Sequence, residues 1–371
     1  MPEQQRRPAA RMIVTTLATA SHLPQAVVAL ESIRAHNPAV DESILLLIDA
    51  HVSNEWQARH GVRVIGIDDL GDVERLGRMR RYYSVFEFCN AVKPWLHRFV
   101  SSNTGADRWL YVDADTWCRG PLTALFERQG EASIVVTQHS ASPGTSLVDI
   151  RRDLGLCGFG TVNGGVVSIR RSPTADDFIA WWQARLVGHC RDNVAEGEYV
   201  DQRWLDVALG CFPGLRADRI AGVNIGHWNL HELTLRDGEL FDRDGEPCAL
   251  VHFSQVRVTG AGADFSQFPG AGPAADAFRR LGVEWAAEVA ACAARIGEGV
   301  MPDATPAGPL PAIDRDIVVQ AVRRASDEGA AFESAMASLE RTRRRRALRE
   351  MQHGARSVWR GLRALLHLPV T

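Results

Sequence analysis

The sequence predicts an α/β protein: a parallel sheet with helices on both faces, followed by a helical C-terminal extension. Three observations carry this reading. Short apolar runs of strand length recur as far as Phe253 and alternate with stretches of helical apolar spacing, the pattern of strands joined by crossover helices. Several of these runs are apolar at nearly every position, as expected of strands covered on both faces. One of them, Trp109-Leu110-Tyr111-Val112, ends abruptly in Asp113-Ala114-Asp115. In such sheets ligands gather beyond the carboxyl ends of strands.

Met12 to Leu17 reads as the first strand, followed by a helix that starts near Ser21 and Pro24 and ends near His36-Asn37-Pro38. Ile44 to Ile48 is a buried second strand, and Val62 to Ile67 a third. Residues 84–100 carry helical spacing (Val85, Phe88, Val92, Leu96, Phe99), with Pro94 set to kink or break the run. The strand before Asp113 comes next, then strands at Ala132–Thr137 and Thr161–Ile169. Residues 173–209 look helical and 210–250 irregular, with turns at Asp237-Gly238 and Asp244-Gly245. Ala249 to Phe253 is a last strand. Gly/Ala/Pro-rich stretches at 259–275 and 299–312 read as linkers or surface loops, and 276–298 and 314–368 as helices.

Composition narrows the class. With 371 residues, 46% hydrophobic and 23% charged, the chain has ample material for a core and the balance of a soluble globular protein. A net charge of −3 gives no sign of nucleic acid as a partner. The charge is unevenly spread: residues 341–371 hold nine Arg against Glu350, leaving about −11 on the rest of the chain. Arginines at 341, 343–346 and 349 precede Val358, Trp359, Leu362, Leu365, Leu366 and Leu368. A basic helix with a Trp/Leu face suits an anionic membrane surface, and the same pattern fits a helix packed on a partner. The seven cysteines form no C-x-x-C pair and are odd in number, so they read as reduced thiols of a cytoplasmic protein. The polar, basic first 11 residues are not followed by the apolar core of a signal peptide, and no run has the roughly 20 apolar residues of a membrane span. Of the 42 Lys plus Arg, a single one, Lys93, is lysine. Codon bias explains the arginines. The surviving lysine marks either a place that needs a compact ammonium or chance.

Two carboxylates one residue apart at a strand end make a hard oxygen site for Mn2+ or Mg2+, or simply cap a helix. The surrounding residues favour the first. The chain resembles GT-A-fold glycosyltransferases, most closely the retaining family 8 enzymes that include bacterial lipooligosaccharide galactosyltransferases, over residues 12–256. The best-matched block is Tyr111-Val112-Asp113-Ala114-Asp115 with Arg119, Leu122, Leu125 and Phe126 after it. The resemblance implies a GT-A type, Rossmann-like mixed sheet flanked by helices. It divides the chain into a flexible N-terminus (1–11), a glycosyltransferase domain (12–258), a linker and helical extension (259–340) and a basic amphipathic tail (341–371).

In that family the D-x-D holds Mn2+ on the donor diphosphate, and a late-strand His completes the set. By resemblance the metal ligands here are Asp113, Asp115 and His252, the last in Leu250-Val251-His252-Phe253-Ser254. Val162-Asn163-Gly164-Gly165-Val166 resembles the segment whose Asn bonds the donor sugar, which brings in Asn163 and Gly164. Tyr199-Val200-Asp201-Gln202 resembles Y-x-D-Q, where the Asp holds sugar hydroxyls and the Gln sits by the anomeric carbon; Asp201 and Gln202 are the expected catalytic pair. Lys93 lies where the family has a base facing the donor phosphate or sugar, and it reads equally as a lysine snorkelling from a helix face. Asn224, with His227, Trp228 and Asn229, falls where the family binds its acceptor.

Two segments depart from the pattern. The family's acid that reads uracil is replaced by Thr15-Thr16, expected to contact the base of a donor for which UDP remains the favoured carrier. The family's phosphate-binding Lys after the late His is absent, and Arg257 is the expected substitute. The implied partners are a nucleotide-sugar donor, a glycan or lipid-linked acceptor, and an anionic membrane surface met by the tail on the inner face of the cell membrane. Same-face attack and a brief intermediate at Gln202 stay equally open. The rival readings are a nucleotidyltransferase of related sheet architecture, a haloacid-dehalogenase-like phosphatase built on Asp113-Ala114-Asp115-Thr116, and a non-catalytic scaffold. The phosphatase usually carries its motif on the first strand and its Lys after it, whereas Lys93 precedes the motif and Asp176-Asp177 opens a helix.

Overall fold

A computed structural model describes residues 11–365 except 143, 219–221, 261, 269 and 304–307, with side chains as far as Arg346. Its centre is a seven-stranded sheet of β1 (Met12–Ala18), β2 (Glu42–Leu47), β3 (Arg63–Ile65), β4 (Arg108–Val112), β5 (Ile134–Gln138), β6 (Val162–Arg170) and β7 (Leu215–Asp218). The strand order is β7-β5-β6-β4-β1-β2-β3. Side chains of a strand alternate between faces. Ile13, Leu17, Ile44, Leu46, Trp109 and Tyr111 join one core; Val14, Ala18, Leu45, Leu47, Leu110 and Val112 join the other. This two-sided burial is why the strands read as unbroken apolar runs.

Helix α1 (Leu23–His36) covers one face. On the other lie α2 (Val73–Tyr82), α3 (Val85–Ala91) and α4 (Lys93–Asn103). The break expected at Pro94 is present. Ser84 and Glu87 form a capping box that starts α3, and Val92 separates it from α4, whose first turn accepts Pro94 because its N–H would be unpaired there.

The sheet is mixed, as the family resemblance implies and against the parallel sheet suggested by strand–helix alternation alone: β6 runs antiparallel to both β4 and β5, while the other pairs are parallel. The connection between β5 and β6 holds α5 (Leu147–Phe159), which buries none of its residues and so does not lie across the sheet as a crossover helix would. The chain instead turns round beyond the end of β5, and Val162 pairs back onto Gln138. Where β6 starts, the partner of β5 jumps from Val167 to Asn163 between Val136 and Thr137, a bulge that throws Gly164-Gly165 toward the carboxyl end of β4.

The helical reading of 173–209 resolves into α6 (Pro173–Leu186) and α7 (Gln202–Cys211), parted by a loop with a short pairing of Asp192–Asn193 with Glu198–Tyr199. Gly197, at φ +79°, turns that loop where a helix cannot continue. The segment 210–250 is less irregular than expected, since it supplies the edge strand β7. The turn at Asp237-Gly238 joins Thr234–Arg236 to Glu239–Phe241 as a hairpin.

A small second sheet sets Val223–Ile225, Leu250–His252 and Thr116–Cys118 side by side and pairs His252 with Thr116. Helices that follow residue 258 pack on both cores. Phe278, Trp285 and Val289 of α8 (Pro273–Ile296) belong to the α1-side core. Val318 and Val322 of α9 (Ala312–Arg324) and Phe332 and Leu339 of α10 (Glu328–Leu365) belong to the other. No described helix is long and apolar enough to cross a membrane. Val358, Trp359, Leu362 and Leu365 have side chains outside the described residues, as do Leu366 and Leu368 entirely. The seven cysteines are unpaired.

Candidate active site

A cleft of about 570 Å³ opens at the carboxyl end of β4. Asp113 caps that strand: its N–H donates to the Gly165 carbonyl at 2.8 Å, and its own carbonyl accepts from the Thr116 hydroxyl at 2.9 Å. The tight turn so formed aims Asp113 and Asp115 the same way. The second sheet adds His252, whose Nε2 lies 2.9 Å from Asp115 Oδ1 and 3.9 Å from Asp113 Oδ2. One ligand atom from each of the three lies within 4.8 Å of the others. Burial opposes a charge on His252, but Asp115 outweighs it and raises the imidazole pKa. Burial likewise opposes ionisation of Asp115, and His252 reverses this and lowers its pKa.

Lys93 enters from the first turn of α4. It is 3% exposed, so it does not snorkel. Its Nζ lies 3.3 Å from Asp113 Oδ1, 3.3 Å from Asp201 Oδ2 and 3.3 Å from the Gly164 carbonyl. Burial disfavours the ammonium, yet Asp113 and Asp201 more than compensate and raise its pKa. Asp201 stands at the head of α7, behind Val200 in the left-handed region at φ +41°, a strained conformation for a β-branched residue. Burial pushes its carboxyl up to about 6, with Lys93 pulling the other way. Tyr111 donates its hydroxyl to Asp113 Oδ1 at 2.7 Å.

The two glycines of the bulge are required by space. A Cβ on Gly164 would lie 2.7 Å from Asp201 Oδ2. One on Gly165 would lie 2.5 Å from His252 Cε1 and 2.6 Å from Asp113 Oδ2. Two carboxylates and an imidazole, closed around two backbone positions that leave no room for a Cβ, fit a divalent ion of the Mn2+ or Mg2+ type.

Asn163 takes a bond from Gly165 N–H on Oδ1 at 2.8 Å and gives one from Nδ2 to His139 Nε2 at 3.1 Å. Gln202 lines the cleft with its amide tied at both ends: Oε1 accepts from Gly164 N–H at 3.1 Å and Nε2 donates to the Phe159 carbonyl at 2.8 Å. Ala114 sits in the turn between the two acids. Trp228 and His227 line the cleft, the indole lying edge-to-face on both His252 and His139.

Other expected residues stand elsewhere. Thr15 and Thr16 are fully buried within β1, because the strand runs on through Leu17 and Ala18, and neither lines the cleft. Arg257 is exposed on the hairpin Arg257–Thr259/Gly262–Asp264, and Ser254 and Gln255 line the cleft in its place. Asn224 is fully buried behind His252 instead of facing an acceptor. Asn229 holds the turn below it, donating to the Asn224 carbonyl and accepting from Gly226 N–H. The phosphatase reading fails on the residues themselves: its D-x-D-x-T needs a Thr where Trp117 stands. Reading the sequence missed His139, one residue beyond the end of β5, a position that such sheets reserve for ligand contacts. Burial lowers its pKa to about 4, so the ring is neutral.

No protein-family model matches the chain. An uncharacterized protein of Bacillus subtilis (strain 168), YfnF, is 29% identical over 191 residues, which make up 50% of this chain and 62% of that protein, less than two thirds of its length. Among solved structures, the chain is similar to the galactosyltransferase LgtC in complex with donor and acceptor sugar analogs, with a TM-score of 0.42 and 17% identity over 75% of this chain and 100% of that one. It is similar to the glycosyltransferase GlyE of Streptococcus pneumoniae TIGR4, with a TM-score of 0.43 and 16% identity over 80% of this chain and 66% of that one. It is also similar to the bifunctional glycosyltransferase WbbM, with a TM-score of 0.41 and 12% identity over 77% of this chain and 53% of that one.

Proposed function

We propose that this chain is a metal-dependent, retaining glycosyltransferase. It moves a sugar from a nucleotide-sugar donor, UDP favoured, to a glycan or lipid-linked acceptor. The observation that carries the reading is the joining of Asp113, Asp115 and His252 at the carboxyl end of β4, with Lys93 and Asp201 buried beside them. Mn2+ or Mg2+ held by those three residues would neutralise the negative charge that builds on a departing nucleoside diphosphate.

The chain's own residues supply position. Lys93 fixes the carboxylates of Asp113 and Asp201 on either side of one ammonium. Asp201, held by Lys93 and by the start of α7, offers a carboxylate to sugar hydroxyls. The Asn163 amide keeps one Nδ2 hydrogen beyond its bond to His139 for the same purpose. The glycine bulge lets the sugar approach the backbone, and Gln202 anchors Gly164 so that the bulge holds its shape. The Trp228 ring walls the acceptor side of the cleft.

The test is thermal unfolding with UDP, GDP, ADP, CDP and dTDP, each with and without Mn2+. A ligand at 100 times its dissociation constant stabilises the folded state by about 2.7 kcal/mol, a clear rise in melting temperature. One nucleotide is expected to produce that rise, only with metal, and Asp115→Ala abolishes it. A rise that ignores metal and survives Asp115→Ala, or none for any nucleotide, overturns the assignment.

A further inference from the structure

The buried groups behind His252 form one continuous run of hydrogen bonds whose direction is fixed by the backbone. His252 Nδ1 lies 2.9 Å from Asn224 Oδ1. Asn224 Nδ2 donates to Asn163 Oδ1 at 3.0 Å and to the Thr137 hydroxyl at 2.6 Å. Asn163 Nδ2 meets His139 Nε2 at 3.1 Å, and His139 Nδ1 meets the Gly160 carbonyl at 2.9 Å.

Two backbone groups allow one polarity. Gly165 N–H can only donate, so the Asn163 atom 2.8 Å from it is the oxygen. The Asn163 amide nitrogen then faces His139, which accepts on Nε2 and must carry its proton on Nδ1. The Gly160 carbonyl, which can only accept, demands the same tautomer. Because Asn163 presents an oxygen to Asn224, Asn224 answers with its nitrogen, and its own oxygen is left for His252. Nδ1 of His252 is therefore the donor, and Nε2 is the atom turned to Asp113 and Asp115.

We propose that Asn224 is a positioning residue that locks His252 in the Nδ1–H form, so that Nε2 is presented to the metal. Gly165 and Gly160 set the polarity of the relay through Asn163 and His139. This rests on the metal-site reading above. Asn224 is fitted to the task twice over. It sits at φ +60°, a conformation that Asn tolerates better than most side chains, and it is fully buried, so no water competes for its amide. Partners that orient a metal-ligating imidazole typically change metal affinity by about 10- to 100-fold when removed.

The experiment titrates Mn2+ by electron paramagnetic resonance into wild type, Asn224→Gly, Asn224→Asp and Asp115→Ala. Glycine adopts φ +60° freely, so the first variant deletes the side chain without straining the backbone. Asp keeps an oxygen for Nδ1–H and, held protonated by full burial, an O–H for Asn163 Oδ1 in place of the lost amide donor. Asn224→Gly, with its cooperative unfolding retained, is expected to weaken Mn2+ by about 10- to 100-fold, and Asn224→Asp to bind close to wild type. A second readout needs no variant: two-bond 1H–15N spectra of the Mg2+-loaded wild type are expected to show His252 protonated at Nδ1 and bare at Nε2. Wild-type affinity in a folded Asn224→Gly, an Asn224→Asp no better than Asn224→Gly, or the opposite tautomer overturns the proposal. If wild type binds Mn2+ no better than Asp115→Ala, the metal-site reading fails and takes the proposal with it.

Discussion

Replacing Lys93 by methionine removes the ammonium while nearly conserving the volume of a side chain that is 3% exposed. Asp113 and Asp201 then lose the cation that lay 3.3 Å from each. Removing one partner of a buried ion pair costs about 3–5 kcal/mol. The pH dependence separates this cause from lost packing. With Lys93 in place, burial already holds the Asp201 carboxyl up at about 6, against 3.8 for the free group. That difference of about two units is roughly 3 kcal/mol against the folded state at high pH. Without Lys93 the folded pKa climbs further. A group with a raised folded pKa binds more protons folded than unfolded, so its stability contribution falls as pH rises from below 4 through the folded value. The deficit of Lys93→Met is therefore expected to be large at about pH 8, to shrink at about pH 5 where Asp201 accepts a proton, and to be partly repaired at pH 8 by adding Asp201→Asn. Urea unfolding midpoints at the two pH values measure it. A deficit equal at both, or under about 1 kcal/mol at pH 8, refutes the reasoning.

Gly165→Ala places a Cβ against His252, Asp113 and Asn163 at once. It is expected to cost about 1–3 kcal/mol by overpacking and to abolish Mn2+ binding, read by calorimetric unfolding and titration. Ser84→Ala removes the hydroxyl that accepts from Glu87 N–H at the start of α3. It is expected to cost about 1 kcal/mol in denaturant unfolding while leaving Mn2+ affinity unchanged, since α3 supplies no metal ligand.

The residues tell how far the sequence carried. Strand runs buried on both faces, the helix break beside Pro94, the hairpin turn at Asp237-Gly238 and the acids closing β4 all depend on local preference and pattern, which a chain states residue by residue. The pair Asp113 and Asp115 is visible as two acids at a strand end, whereas His252 entered only through the resemblance to family 8 enzymes, because a single His on an apolar strand reads as a core residue. Whether Lys93 was buried among carboxylates or lay along the surface was undecided until α4 was packed against the sheet.

Tertiary structure decided the rest, for the reason that direction and depth are not local properties. The reversal of β6 is decided by its pairing with β4 and β5, which local preference does not state. Thr15 and Thr16 are buried because β1 runs two residues beyond them. His252 reaches Asp115 only through the second sheet, and Asn224 faces inward only because that same sheet sets it behind the ring. Sequence by itself determined which groups could do chemistry here; the long-range pairing of strands determined which of them meet, since those contacts join residues far apart in the chain and take their geometry from packing rather than from neighbours.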